Sequence, residues 1–236
     1  MTSTVALTEE PMRGSHEGMA RRSSMEDVME ELYRQGLSGD EEAQLDFITF
    51  IVTETELPMP DMAEVWLRRL AEKGIDQARR CYFSWAMAGG GGENHDWLKV
   101  EQWLLGMEAE TPGAAHAMLG MLYDPAFPGF TDWKLAAQYY RKAVDAGNAG
   151  CGFYQARVYR GHGEEAGVSH EEMRELLERA EPVNACGQLY ELLCASCEVL
   201  EDYDTAMKYY KRGTNMTRKI LIAVSAWPVI MQWDAG

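Results

Sequence analysis

The chain repeats itself, and a repeat restricts it to architectures in which each unit is covered by its neighbours. Asp96, Trp97, Gln102 and Trp103 recur at a shift of 36 in the segment Asp132–Ala143, DWKLAAQYYRKA. At a shift of 70, Asp132, Ala136, Tyr139 and Tyr140 fall on Asp202, Ala206, Tyr209 and Tyr210. A weaker copy, Ser169–Ala180, lies between them, and another, Met62–Gly74, precedes them. Ahead of the strong copies, a shift of 36 carries Ala115 onto Cys151, Gly120 onto Ala156 and Tyr123 onto Tyr159. Each unit reads as two antiparallel helices. Small residues at Ala115, Gly120, Cys151 and Ala156 let the first helix approach its partner closely, and the pairs Tyr139/Tyr140 and Tyr209/Tyr210 fill the space on the second. Gly89–Gly92, Asp124–Gly129 and Gly161–Gly163 mark turns. A lone helix pair cannot cover its apolar face and stacking covers it, so the pattern predicts an all-α solenoid of stacked antiparallel helix pairs.

Ala115, Ala117, Leu119, Gly120, Tyr123, Asp132, Ala136, Tyr140, Ala143 and Gly147 together resemble the Sel-one-like repeats, a branch of the tetratricopeptide superfamily. The next unit keeps Cys151, Phe153, Ala156 and Tyr159, and the resemblance weakens over Asn184–Leu200, where Tyr190 falls on the usual small position. It implies a scaffold or adaptor that holds a protein or peptide on the concave face of the stack, without enzymatic activity. The tetratricopeptide-type arrangement implies that Ala117, Met121 and Asp124 of one first helix face inward, with Phe153, Arg157 and Arg160 of the next. Arg157 and Arg160 are i and i+3, so they share a helix face. Beside Phe153 they could hold a partner's carboxylate while an apolar side chain packs on the ring. The competing reading is that both arginines are surface charges neutralising nearby acid.

Four segments follow from this pattern. Residues 1–24, rich in Ser, Thr, Gly and charge, read as a disordered arm. Residues 25–58 read as an N-terminal helical cap. Its first helix would be capped by Ser23 or Ser24 and stopped at Gly36, and its second would run from Asp40 to about Leu57. On propensity alone, Ile48–Thr53 could instead be a strand. Residues 59–216 hold the repeats, and residues 217–236 form an apolar tail that caps the last unit. In that tail Ile220–Val224 could alternatively pair with a second chain, giving a homodimer.

Charge separates the partner classes. The chain carries 38 acids against 22 bases, a formal net charge of −16. No basic face suits a phosphate backbone, so nucleic acid is excluded as a partner. The same excess favours an alternative role, an acidic inhibitor of the immunity-protein or chaperone kind that covers a basic partner. The apolar run Ile220–Met231 contains Pro228 and is short of the ~20 residues a spanning helix needs, so no membrane is implied. The N-terminal stretch lacks the features of a secretory signal, so the protein is expected in the cytoplasm with Cys81, Cys151, Cys186, Cys194 and Cys197 as free thiols.

Three constellations could carry chemistry, and each has a structural reading that explains it better. Cys194 and Cys197 form a CxxC inside an apolar helical run with no second pair of ligands. The glycines Gly89–Gly92 are followed by acid rather than by a phosphate-binding lysine. His162 and His170 lie among glutamates, where Ser169 can cap a helix. No catalytic, cofactor-binding or metal-ligating residue is expected.

Overall fold

The computed structural model describes residues 14–54, 58–92 and 95–225, and among them it contains α-helices and one 3-10 turn but no strand. The chain divides into two compact units, up to Gly91 and from Gly92 onward. The division runs through the glycine run and inside the span expected as continuous repeat.

The first unit contains α1 (Gly14–Leu37), α2 (Glu41–Glu54), α3 (Asp61–Glu72) and α4 (Asp76–Met87). Helix α1 begins before the expected cap at Ser23 or Ser24, so residues 14–24 of the supposed arm lie within it. Gly36 does not stop this helix. It belongs to α1, and a Cβ there would lie 2.8 Å from the Trp66 ring. The turn falls instead at Gly39, whose φ of 101° suits glycine. Asp40 caps α2 by accepting from the N–H groups of Glu42 and Ala43 at 3.0 and 3.2 Å. Ile48, which propensity alone would also have allowed in a strand, is a fully buried residue of the expected helix. Packing of Tyr33, Phe47 and Trp66, with ring centroids 5.1 to 6.3 Å apart, ties α1 and α2 to α3.

The second unit contains α5 (Trp97–Gly106), α6 (Pro112–Tyr123), α7 (Trp133–Asp145), α8 (Cys151–His162), α9 (His170–Asn184), α10 (Gly187–Val199) and α11 (Tyr203–Ser225). Consecutive helices pack on one another, which is the stacked-pair pattern of the repeats. Every second helix starts on a side-chain cap: Asp96, Asp132, Ser169 and Asp202 accept from the N–H three residues on, at 3.0 to 3.2 Å. At Ser169 the Glu172 carboxylate reaches back to the Ser169 N–H at 3.0 Å, completing a capping box.

Close approach depends on absent side chains. A Cβ on Gly120 would lie 2.5 Å from the Tyr140 ring, and one on Gly152 would lie 2.7 Å from the Leu176 carbonyl oxygen. Tyr190, which seemed to break the register, does not. At a shift of 37, Phe153, Ala156 and Tyr159 of α8 fall on Tyr190, Leu193 and Ser196 of α10, and all six are buried. An aromatic thus replaces an aromatic, and the Tyr190 hydroxyl is satisfied by donating to Glu181 at 2.9 Å. Ile220–Val224, the alternative pairing strand, lies in α11. Residues 226–236, the rest of the expected cap, lie outside the described residues.

Candidate functional site

Helix α8 is buried on most sides; Tyr154, Arg157 and Arg160 are at least partly exposed along it, as are Gly161 and His162 at its C-terminal end. The i, i+3, i+6 spacing of Tyr154, Arg157 and Arg160 puts those three on one stripe. On α6 the partly exposed Ala117 and Met121 pack against the neighbouring core of α7 and α8.

Asp124, at the C-cap of α6, is only 2% exposed. A carboxylate buried at the negative end of a helix requires compensation. It accepts from the Ala126 N–H at 2.9 Å, from the Tyr140 hydroxyl at 3.0 Å and from the Arg157 guanidinium at 2.5 Å. Arg157 in turn lies 5.2 and 5.4 Å from the ring centroids of Phe127 and Tyr154. Tyr154 also stacks on Tyr140 with ring centroids 5.6 Å apart. Burial, then the adjacent Asp124, push the Tyr140 hydroxyl well above the usual tyrosine range.

Two expectations are thereby corrected. Asp124 does not line an open wall, because its carboxylate is needed inside as the counter-ion of Arg157. Phe153 does not stand beside the arginines as an open ring, because it is packed into the core with Leu177, Leu189 and Leu193. The two arginines also differ. Arg157 is occupied by an internal carboxylate, whereas Arg160 is exposed and borders a cavity of about 130 Å³ with His170 and Ser196. Sequence reasoning passed over Tyr154 and Phe127, although the spacing of Tyr154 to Arg157 was there to be read.

The remaining constellations have structural surroundings. Cys197 is fully buried, and the Cys194 thiol donates to the Ala206 carbonyl at 3.4 Å. His162 stacks on Trp133 with ring centroids 4.1 Å apart. Among the described residues no group of three or more His, Cys, Asp or Glu is arranged to hold a metal ion. Nor is any described helix long and apolar enough to cross a membrane.

A second apolar feature lies where α10 meets α11. The groove there has a volume of about 470 Å³ and walls that include Tyr190, Cys194, Tyr209 and Tyr210.

Capped second helices, glycine-mediated approach of first helices and sequential packing define an all-α solenoid of stacked helix pairs. Comparison with solved structures bears this out. A Sel1 repeat protein from Oxalobacter formigenes aligns over 81% of this chain and 78% of its own, with a TM-score of 0.59 and 18% identity. A protective antigen present in uropathogenic Escherichia coli strains and displaying the SLR fold aligns over 79% of this chain, with a TM-score of 0.60 and 16% identity. This chain spans only 40% of that antigen's length. At these identities the likeness is one of fold. No protein-family model and no curated protein sequence matches the chain.

Proposed function

We propose that this chain is a non-enzymatic scaffold or adaptor that seats a protein or peptide along the stripe of Ala117, Met121, Tyr154, Arg157 and Arg160. The observation that carries the reading is the fixed placement of Arg157 between a buried carboxylate and two half-buried rings, beside an exposed Arg160. A rigid aromatic surface loses little entropy on binding, and a neighbouring exposed guanidinium can take a carboxylate. Together they suit a segment that presents an acidic residue next to apolar ones. The repeat fold supports the same class of role.

The test is capture from source cells with the wild-type chain and with Arg160→Glu, at low and at high salt. A partner held by the wild type at both salts and lost by the variant, with the melting temperature unchanged, supports the scaffold. Equal capture by both chains removes the arginine from the interface. The net charge of −16 favours one further reading, an inhibitor of a basic protein. Capture of a single basic protein that high salt abolishes and Arg160→Glu leaves intact would select it.

A further inference from the structure

Three first helices of the second unit can be laid over one another in sequence. A shift of 36 carries Leu119 and Tyr123 of α6 onto Gln155 and Tyr159 of α8, and a further 37 carries these onto Leu192 and Ser196 of α10. Leu119 and Leu192 are buried, so the repeat packs a leucine at this place on either side of α8. Helix α8 buries an amide there instead, and Gln155 is only 1% exposed. Gln155 Nε2 donates to the Tyr159 hydroxyl at 2.9 Å, but Gln155 Oε1 is buried with no donor to accept from. Gln44, also buried, has both ends of its amide bound, one to the Gly36 carbonyl and one to Arg69. The Tyr159 hydroxyl accepts from Arg141 Nη2 at 3.2 Å as well, so both its lone pairs are used and its proton is left to give. Turning the amide over would supply that proton with an acceptor and leave the Nε2 N–H groups unspent instead. Buried polar groups are normally paired, and the neighbouring units show that an apolar residue fits this place.

Gln155 and Tyr159 line a cavity of about 200 Å³ bounded by α7, α8 and α9. The guanidiniums of Arg141 and Arg179 and the carboxylates of Asp145 and Glu175 stand around it. Among the described residues neither of these carboxylates forms an ion pair, and Arg179 has neither an ion pair nor a hydrogen bond. Opposite charges thus flank one cavity without meeting each other. Gln155 and Tyr159 lie two residues either side of Arg157, which turns them about 160° away from it around α8. The cavity is therefore separate from the stripe of Arg157 and Arg160.

We propose that this cavity binds a free α-amino acid. The ammonium group donates to Gln155 Oε1 and faces Asp145 and Glu175, and the carboxylate accepts from the Tyr159 hydroxyl beside Arg141 and Arg179. The unspent acceptor and the unspent donor are neighbours joined by one hydrogen bond, as the two charged groups of an amino acid are joined by one carbon. The volume lies below the ~300–1,000 Å³ of sites for drug-sized ligands, and Val144 and Leu176 offer an apolar wall to a short side chain.

Isothermal titration of the full chain with each of the standard L-amino acids tests this. At least one should bind, and its N-acetyl and carboxamide derivatives, each lacking one charge, should bind at least about tenfold more weakly. Gln155→Leu should melt no lower than the wild type, because leucine fills this place in α6 and α10, yet bind the same amino acid at least about tenfold more weakly. Arg179→Ala, at an exposed position, should weaken binding similarly with the melt unchanged, and it decides the matter should Gln155→Leu fail to fold. A wild-type chain that binds no amino acid would overturn the proposal and leave the cavity to water. An affinity unchanged in Gln155→Leu or in Arg179→Ala, or an N-acetyl derivative bound as tightly as the free amino acid, would overturn it as well.

Discussion

Tyr140 and Tyr210 are the same residue at the same place in the repeat, and the protein treats them in opposite ways. Tyr140, in the middle of the stack, is fully buried, hydrogen-bonded to Asp124 and covered by Tyr154 of the following first helix. Tyr210, on the last described second helix, is 61% exposed. In a repeat protein a residue's environment is therefore set by the presence of the next unit as much as by its own sequence pattern. Tyr140 holds its hydroxyl in a closed polar network, whereas on the last described second helix the same position is an exposed ring.

The largest effect should come from opening the interior network. Asp124→Ala removes the acceptor of Arg157, Tyr140 and the Ala126 N–H together, leaving a largely buried guanidinium without its partner. We expect a loss of about 3–5 kcal/mol in denaturant unfolding. The outer counterpart is Glu178→Ala, which removes the acceptor of the Tyr209 hydroxyl where the carboxylate is already part-exposed. It should cost about 1 kcal/mol or less. Similar losses for the two variants would mean that the interior network is no more closed than the end.

Next come the glycines. Gly120→Leu drives a side chain into the Tyr140 ring, which has no room to move, and should cost about 1–3 kcal/mol through overpacking. At the matching end, a Cβ on Gly213 would lie 3.1 Å from the Tyr190 Cβ, a fit that needs a shift of only a few tenths of an ångström. Gly213→Ala should then be close to neutral, since the gain in helix propensity of about 1 kcal/mol offsets that strain. Circular dichroism melts of the two variants measure both effects.

The sequence carried the architecture because periodic features are local. Caps at Asp96, Asp132 and Asp202, small residues at Gly120 and Ala156, and turn glycines each act on their own helix or the one beside it. The site was less legible. Helical spacing could place Arg157 on a stripe, but its counter-ion Asp124 lies 33 residues away in the preceding helix pair, and only packing brings the two together. Phe153 was assigned outward for the same reason, since a repeat pattern marks a position without saying which neighbour covers it. Gly36 misled because a glycine read as a helix stop serves here as clearance for Trp66. Tyr210 was assigned to the core by its match to Tyr140, and that match is silent about which helix covers the position.

The finest test applies one substitution to both tyrosines. Tyr140→Phe keeps the ring and removes a hydroxyl buried against Asp124, so it should cost about 1 kcal/mol at neutral pH. Its cost should also depend on pH in a defined direction. The Tyr140 hydroxyl titrates above its ordinary value in the folded state, chiefly because it is buried and then because Asp124 is adjacent. Its neutral form therefore stabilises the fold fully below the unfolded value of about 10, and that contribution declines as the pH rises above it. The gap between wild type and Tyr140→Phe should accordingly narrow in alkali. Tyr210→Phe changes a hydroxyl on an exposed ring and should stay within about 0.5 kcal/mol of wild type. A loss at Tyr210 as large as that at Tyr140 would mean that its hydroxyl is held as firmly as that of Tyr140, and the contrast between the middle and the end of the stack would fail.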